Sequence, residues 1–193
     1  METAPEPARQ AGAREDGVTT TAAALTLRGA TIIEQMKKAR VSHVLSVPDL
    51  HTSHGLLAPI AQDPDFQLIR VCKEDECLGI AAGLTYGDKR AAILVQYTGF
   101  LYAMNAIRGV ACEQKLPIVL MIGLLGKEPG TPPAESRRFG VRIVEPILDV
   151  LGIPHVCIET DDDAPAISAM FDDAWRESRP RAILIGGRPE ARA

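Results

Sequence analysis

Six short runs, each apolar almost without interruption, constrain this chain more than any other feature. They read "HVLSV" (residues 43–47), "FQLIRVC" (66–72), "AAILVQ" (91–96), "PIVLMIG" (117–123), "HVCIE" (155–159) and "RAILIGG" (181–187). A strand with one wet face alternates apolar and polar residues, because successive side chains point to opposite faces. A run apolar at consecutive positions is buried on both faces, the mark of a parallel sheet covered by helices above and below.

The segments before and between the runs supply five helices. "GATIIEQMKKAR" places Ile32, Ile33, Met36 and Ala39 along one helical face. From Glu74 to about Tyr86 runs a helix of small residues, ended by Gly87-Asp88. "LYAMNAIRGVACEQ" is helical and stops before Pro117. "VRIVEPILDVLG" continues the series, with Pro146 accommodated in the first turn. "DDAPAISAMFDDAWRES" is amphipathic, with Asp162 or Asp163 as its N-cap. Only "LLGKEPGTPPAESRRFG" (124–140) lacks any period, and its Gly and Pro content predicts a long loop. The expected fold is α/β: a doubly wound, mainly parallel six-stranded sheet with helices on both faces and right-handed crossovers.

A length of 193 residues suits one domain with a proper core. Residues 1–24, rich in Ala, Pro, Thr and charge, read as a flexible tail ahead of a single domain over 25–193. The formal charge of −4 argues against nucleic acid as a partner. No apolar run approaches the roughly 20 residues that span a bilayer, so no membrane partner is expected. The N-terminus lacks the basic-then-apolar layout of a secretory leader, which predicts a cytoplasmic protein. Cys72, Cys77, Cys112 and Cys157 form no CxxC pair and read as reduced thiols rather than a disulfide framework or zinc site.

Ligands of such sheets bind beyond the carboxyl ends of the strands. That rule selects "PDLHTSH", "KEDEC", "YTGFLY" and the 124–140 loop. None carries GxGxxG, GxxxxGK[ST] or GxSxG, so a nucleotide cradle and a serine elbow are both missing. His51 and His54 have no evident third ligand for a metal, and no metal site is expected on this chain. They read as loop histidines that contact a substrate or a partner, or as solvated surface residues. "QYTG" (96–99) reads on spacing alone as a simple glycine turn. Glu74, Asp75 and Glu76 open a helix, where acids meet the positive end of the helix dipole with no further purpose. Glu74, directly after an apolar strand and ahead of Gly79, Ala81, Ala82 and Gly83, is alternatively a carboxylate placed for proton transfer. The pattern by itself leaves both readings open.

Taken together, "VPD", "KEDECLGIAAGLTYGDKRAAILVQYTG" and "AMNAIRG" resemble the pyrimidine-binding domain of thiamine diphosphate enzymes. The similarity is to the α subunit of sulfopyruvate decarboxylase and the related phosphonopyruvate decarboxylases. Glu74, Glu76, Gly79, Ile80, Ala82 and Gly83 fall in register with that family's E-x-E-G-x-G-I-x-A-G pattern. Gln96, Thr98, Gly99, Asn105 and Ala106 match its following turn and helix, and "GKEPG" with Gly140 its long loop. The resemblance runs from about residue 26 to 188.

The resemblance implies that Glu74 bonds N1′ of the cofactor's aminopyrimidine and activates thiamine diphosphate for decarboxylation of a small 2-oxo acid. It implies a cofactor pocket of Glu74, Gln96, Thr98, Gly99 and Asp49, with His51, His54, Tyr97 and Tyr102 near the substrate. The family's GDG…N motif, which ligates Mg²⁺, has no counterpart, since the only Gly-Asp is Gly87-Asp88. The resemblance therefore implies a separate diphosphate-binding β subunit that holds the Mg²⁺, in an α/β hetero-oligomer. Leu50, Tyr97, Leu101 and Tyr102 depart from the family's residues, so the reaction type carries over more directly than the sulfonate substrate. Arg137 and Arg138 are candidates for an anionic substrate tail. A carboligase or lyase acting on another oxo acid, and a non-catalytic α/β partner-binding protein, are the alternative readings.

Overall fold

The six apolar runs form one sheet in which every pairing is parallel, in the order β2-β1-β3-β4-β6-β5. The computed structural model describes residues 26–191, so the tail expected over 1–24 lies outside the described residues. In chain order the elements begin with α1 (Gly29–Lys38), β1 (Val41–Ser46), a short α2 (Ala58–Ile60) and β2 (Gln67–Arg70). There follow α3 (Glu74–Tyr86), β3 (Arg90–Gln96), α4 (Tyr97–Tyr102), α5 (Met104–Ala106) and β4 (Val119–Gly123). The rest is α6 (Phe139–Arg142), α7 (Val144–Leu151), β5 (His155–Ile158), α8 (Pro165–Glu177) and β6 (Arg181–Ile185). Among the described residues no helix is long and apolar enough to cross a membrane.

Each face of the sheet carries its own core. Ile32 and Met36 of α1, Leu56 and Ile60 of the 53–60 segment, and Phe171 of α8 pack with Val44, Leu94 and Met121 of the strands. On the other face Cys77 and Leu78 of α3, Phe100 of α4, Ile107 and Leu148 pack with Leu45, Ile93 and Leu120. Adjacent strand residues thus point into opposite cores, which is why the runs are apolar at consecutive positions. Each such side chain, fully buried, stabilises the fold by roughly 1.5–3 kcal/mol. Travel across the sheet is coupled to the face used. Steps β1→β2 and β5→β6 go one way with their helices on the first face, and the other three steps go the opposite way on the second. A single hand of crossover demands that pairing.

Four local expectations need correction. His54, expected in a loop, lies in a helical segment over residues 53–60, with Leu56, Leu57 and Ile60 buried in the first core. The helix expected from Leu101 begins at Tyr97, immediately after β3, and Gln96–Gly99 is therefore no turn. Its later course is broken, with wide turns over Ile107–Glu113. The 124–140 loop contains a tight helical turn at Pro133–Glu135 and gives way to α6 at Phe139. Neither Asp162 nor Asp163 caps α8, whose first residue, Pro165, has no N–H that needs an acceptor. Asp163 instead accepts the N–H groups of Glu159 and Thr160, each at 2.9 Å.

Candidate functional site

The chain leaves β1 toward β2 on one side and returns to β3 on the other. The loops beyond β1 and β3 therefore diverge, and a crevice opens between them at the carboxyl end of the sheet. A recess of about 450 Å³ lies there, lined by Val47, Pro48, Asp49, Leu50, Ser53, Glu74, Gln96 and Thr98. Residues distant in sequence meet in it because the ends of three strands converge on one point.

Glu74 is the first residue of α3 and projects into the recess. Its carboxylate accepts no hydrogen bond from any described residue, so its acceptor capacity is directed at whatever occupies the space. Beneath it lies Gly99, buried in the first turns of α4. A Cβ on Gly99 would sit 2.5 Å from Glu74 Oε1 and 2.7 Å from its Cδ, so only glycine allows the carboxylate its present position. Cys77, one turn further along α3, is buried, and desolvation together with the Glu74 charge pushes its thiol up to about 12. It is a packing residue rather than a nucleophile.

The two other acids of "KEDEC" have separate roles. Glu76 Oε2 accepts the backbone N–H groups of Cys72 at 3.1 Å and Lys73 at 3.4 Å, the reciprocal half of a capping box. Asp75 has one carboxylate oxygen buried with no hydrogen-bond partner. At the opposite wall Thr98 donates to Gln96 Oε1 at 3.0 Å, which pairs two polar side chains at the start of α4.

Asp49 lines the recess, but its carboxylate is committed to its own turn. Oδ1 accepts the N–H groups of His51 at 2.6 Å and Thr52 at 2.8 Å, and Oδ2 accepts the Thr52 hydroxyl at 2.7 Å. The Ser53 hydroxyl donates to the Asp49 carbonyl oxygen. This turn shapes the wall and carries Leu50 out to 75% exposure at the rim.

Of the remaining candidates, none lines this recess. His51 is buried, and its Nε2–H donates to the Ile185 carbonyl at 3.0 Å, which fixes the Asp49 turn over the end of β6. Burial holds its imidazole below the ordinary value of 6.5, partly offset by the Ile185 bond and the Asp49 charge. His54 is exposed beside Arg188 and Pro189. Tyr97 packs its ring on Gly140, and Tyr102 is 58% exposed on α4. A neighbouring cavity of about 410 Å³ is bounded by His51, Gly126, Lys127, Glu159, Gly187 and Arg188 among others. In it Lys127, its side chain fully buried, meets Glu159 Oε1 at 2.5 Å and ties the loop after β4 to the end of β5. Further along that loop the Ser136 hydroxyl donates to Glu128 at 2.7 Å and holds its carboxyl below the usual range.

Pro48, Leu50 and Ser53 fall within the "PDLHTSH" segment selected from the sequence, and Val47, directly beyond β1, adds to it. The arrangement is an open, mixed polar and apolar recess: a carboxylate without a partner among the described residues, two polar groups opposite, and Val47, Pro48 and Leu50 as apolar surface. It suits a ligand with both an apolar body and a hydrogen-bond donor that meets Glu74.

No family model matches the chain. Among curated proteins it is 30% identical over 161 residues to sulfopyruvate decarboxylase subunit alpha of Methanocaldococcus jannaschii, covering 82% of this chain and 94% of that protein. It is 27% identical over 151 residues to the same subunit of Methanothermobacter thermautotrophicus, with 78% and 90% covered. A longer protein of Methanosarcina acetivorans, named sulfopyruvate decarboxylase without a subunit designation, is 23% identical over 80% of this chain, which spans 38% of its length.

Proposed function

The chain belongs to the family of sulfopyruvate decarboxylase α subunits, and from that premise we propose that it is one subunit of a heteromeric, non-oxidative 2-oxo acid decarboxylase, a carbon–carbon lyase that uses thiamine diphosphate. One observation carries the reading. The switch-point recess presents a single unpartnered carboxylate, Glu74, at the position where the family resemblance sets its cofactor-activating glutamate.

The residues fit an aminopyrimidine. Val47, Pro48 and Leu50 give apolar surface for a flat ring, Gln96 and Thr98 give polar contacts at its edge, and Glu74 gives an acceptor for a ring N–H. Thiamine diphosphate, when bound, supplies a carbon nucleophile for the keto carbon and a ring that accepts the electrons released with carbon dioxide. Glu74 holds and exchanges a proton at its carboxylate against the ring nitrogen N1′. Gly99 keeps that carboxylate in place by leaving it room. Leu50 and Pro48 exclude water from the ring face once a partner covers the rim.

The diphosphate and its Mg²⁺ are assigned to a separate β subunit, because no GDG…N motif exists in this sequence. The longer Methanosarcina relative supports that division, since this chain corresponds to a minor part of a polypeptide named as the decarboxylase itself. The open outer side of the recess, with Leu50 at 75% exposure, supports a site shared between two chains.

The test is co-expression with a β partner carrying GDG and a downstream Asn, followed by carbon dioxide release from a panel of 2-oxo acids, sulfopyruvate included, with thiamine diphosphate and Mg²⁺. Glu74→Gln is expected to leave the complex assembled while turnover falls by roughly 10²–10⁴-fold, the usual scale for a proton-transferring group. Undiminished turnover in that variant would reject the assignment.

A further inference from the structure

At the end of the sheet opposite Glu74, a recess of about 280 Å³ is lined by Arg40, Ser42, Asp88, Lys89, Arg90 and Trp175. Arg40 and Ser42 lie at the start of β1, Asp88 to Arg90 lead into β3, and Trp175 comes from α8. We propose that this recess is a binding site for a compact dianionic oxyanion, a phosphate group, separate from the decarboxylase site.

Three cations line the recess against one carboxylate, in a chain whose formal charge is −4. Arg90 is pre-oriented. Its Nη1 donates to the Ala39 carbonyl at 2.9 Å and to Asp172 Oδ1 at 2.6 Å, and its guanidinium lies 5.3 Å from the Trp175 ring centroid. Arg90 thus offsets the carbonyl end of α1 and a neighbouring acid. Arg40 and Lys89 are not held in this way. Neither side chain makes an ion pair or hydrogen bond with a described residue, although both border a concave surface.

Arg40 and Asp88 sit just past the ends of α1 and α3, in the left-handed conformation common at helix C-termini, with φ of 59° and 56°. Two free cations and one fixed guanidinium border a volume that suits a phosphate group rather than a whole nucleotide, while the Ser42 hydroxyl is already engaged with His43 Nδ1 at 2.8 Å and the Arg90 carbonyl at 3.4 Å. Asp88 opposes a monoanion as strongly as a dianion in relative terms, so a doubly charged group gains more from the cation excess.

The recess has a built-in reporter, since Trp175 is the only tryptophan of the chain. The full chain is titrated with inorganic phosphate at neutral pH, with sodium chloride at matched ionic strength as one control and methanesulfonate as another. A saturable change in Trp175 emission is expected with phosphate, none with chloride, and a weaker response with the monoanionic sulfonate. Lys89→Gln, at an exposed position, is expected to raise the half-saturating phosphate concentration about tenfold, the effect of losing one charge-assisted contact. Arg40→Asn, a residue that tolerates the left-handed conformation, should do the same. A response that follows ionic strength alone, methanesulfonate binding as tightly as phosphate, or unchanged titrations in both variants would each overturn the proposal.

Discussion

Gly99 has no Cβ, and the Glu74 carboxylate occupies the space that one would fill. A methyl group there cannot coexist with the present rotamer, so Gly99→Ala should displace the carboxylate by a fraction of an ångström or more. Misplacement on that scale costs on the order of 10²-fold in rate when the group acts in proton transfer. The expected result is a fall of that size in turnover of the assembled enzyme, with a thermal midpoint close to that of the unmodified protein. A large drop in midpoint with normal turnover per folded molecule would count against a positioning role. His51 gives a prediction of a different kind. Burial lowers its folded-state pKa below 6.5, so the unfolded chain binds the extra proton first as pH falls. The stability this residue contributes is therefore complete above pH 6.5 and is lost progressively below it. The thermal midpoint should decline on acidification from that point, and His51→Gln, which keeps a donor for Ile185, should flatten the decline. Equal slopes in the two proteins would show that other groups carry the effect.

At the scale of the element, α3 resolves the ambiguity of three adjacent acids. The helix-dipole argument treats Glu74, Asp75 and Glu76 alike, but the helix geometry does not. Glu76, two residues into the helix, reaches back to the N–H groups of Cys72 and Lys73. Glu74, at the first position, points away from the helix into the recess. Glu76→Ala should cost about 1 kcal/mol, as capping groups do. For a domain of this size that is a midpoint lower by about 2–4 °C. Glu76→Gln, which can still accept those bonds, should recover most of it, and a midpoint unchanged in Glu76→Ala would show the cap to be idle. The cap was not legible in the sequence, because Lys73 stands at the N-cap where a capping signature has Ser, Thr, Asp or Asn. The "QYTG" segment shows the converse. Its glycine suggested a turn, while the chain enters α4 directly, because that glycine is required by Glu74 across the crevice and not by the local backbone.

For the whole molecule, the proposed site is half of one. The recess offers an acceptor and apolar residues for a ring, and the proposal assigns the diphosphate to a second chain. Calorimetry on the chain alone should therefore show weak or no binding of thiamine diphosphate with Mg²⁺, and the complex with its β partner should bind it far more tightly. Tight binding by the isolated chain would contradict the division of the site between two polypeptides. The sheet that creates the recess was readable in advance, since six largely apolar runs alternating with helices admit few arrangements other than a covered parallel sheet. The helical 53–60 segment was not, because "SHGLLAPI" is short, contains Gly and Pro, and acquires its conformation by burying Leu56, Leu57 and Ile60 against strands far along the chain.

The sequence alone determined the class of fold, the strand positions and the segments that border the recess, because hydrophobic period is a local property and strand ends follow from it. It also marked Glu74 of "KEDEC" as the candidate carboxylate, through the family resemblance. Only the tertiary structure separated the acids, committed Asp49 to its own turn, buried His51 against Ile185 and set Gly99 beneath Glu74. Those outcomes depend on which strand ends meet, and the order β2-β1-β3-β4-β6-β5 brings residues 47–53, 74 and 96–98 to one crevice. Contacts between segments so far apart are fixed by packing of the whole sheet, and no local pattern records them.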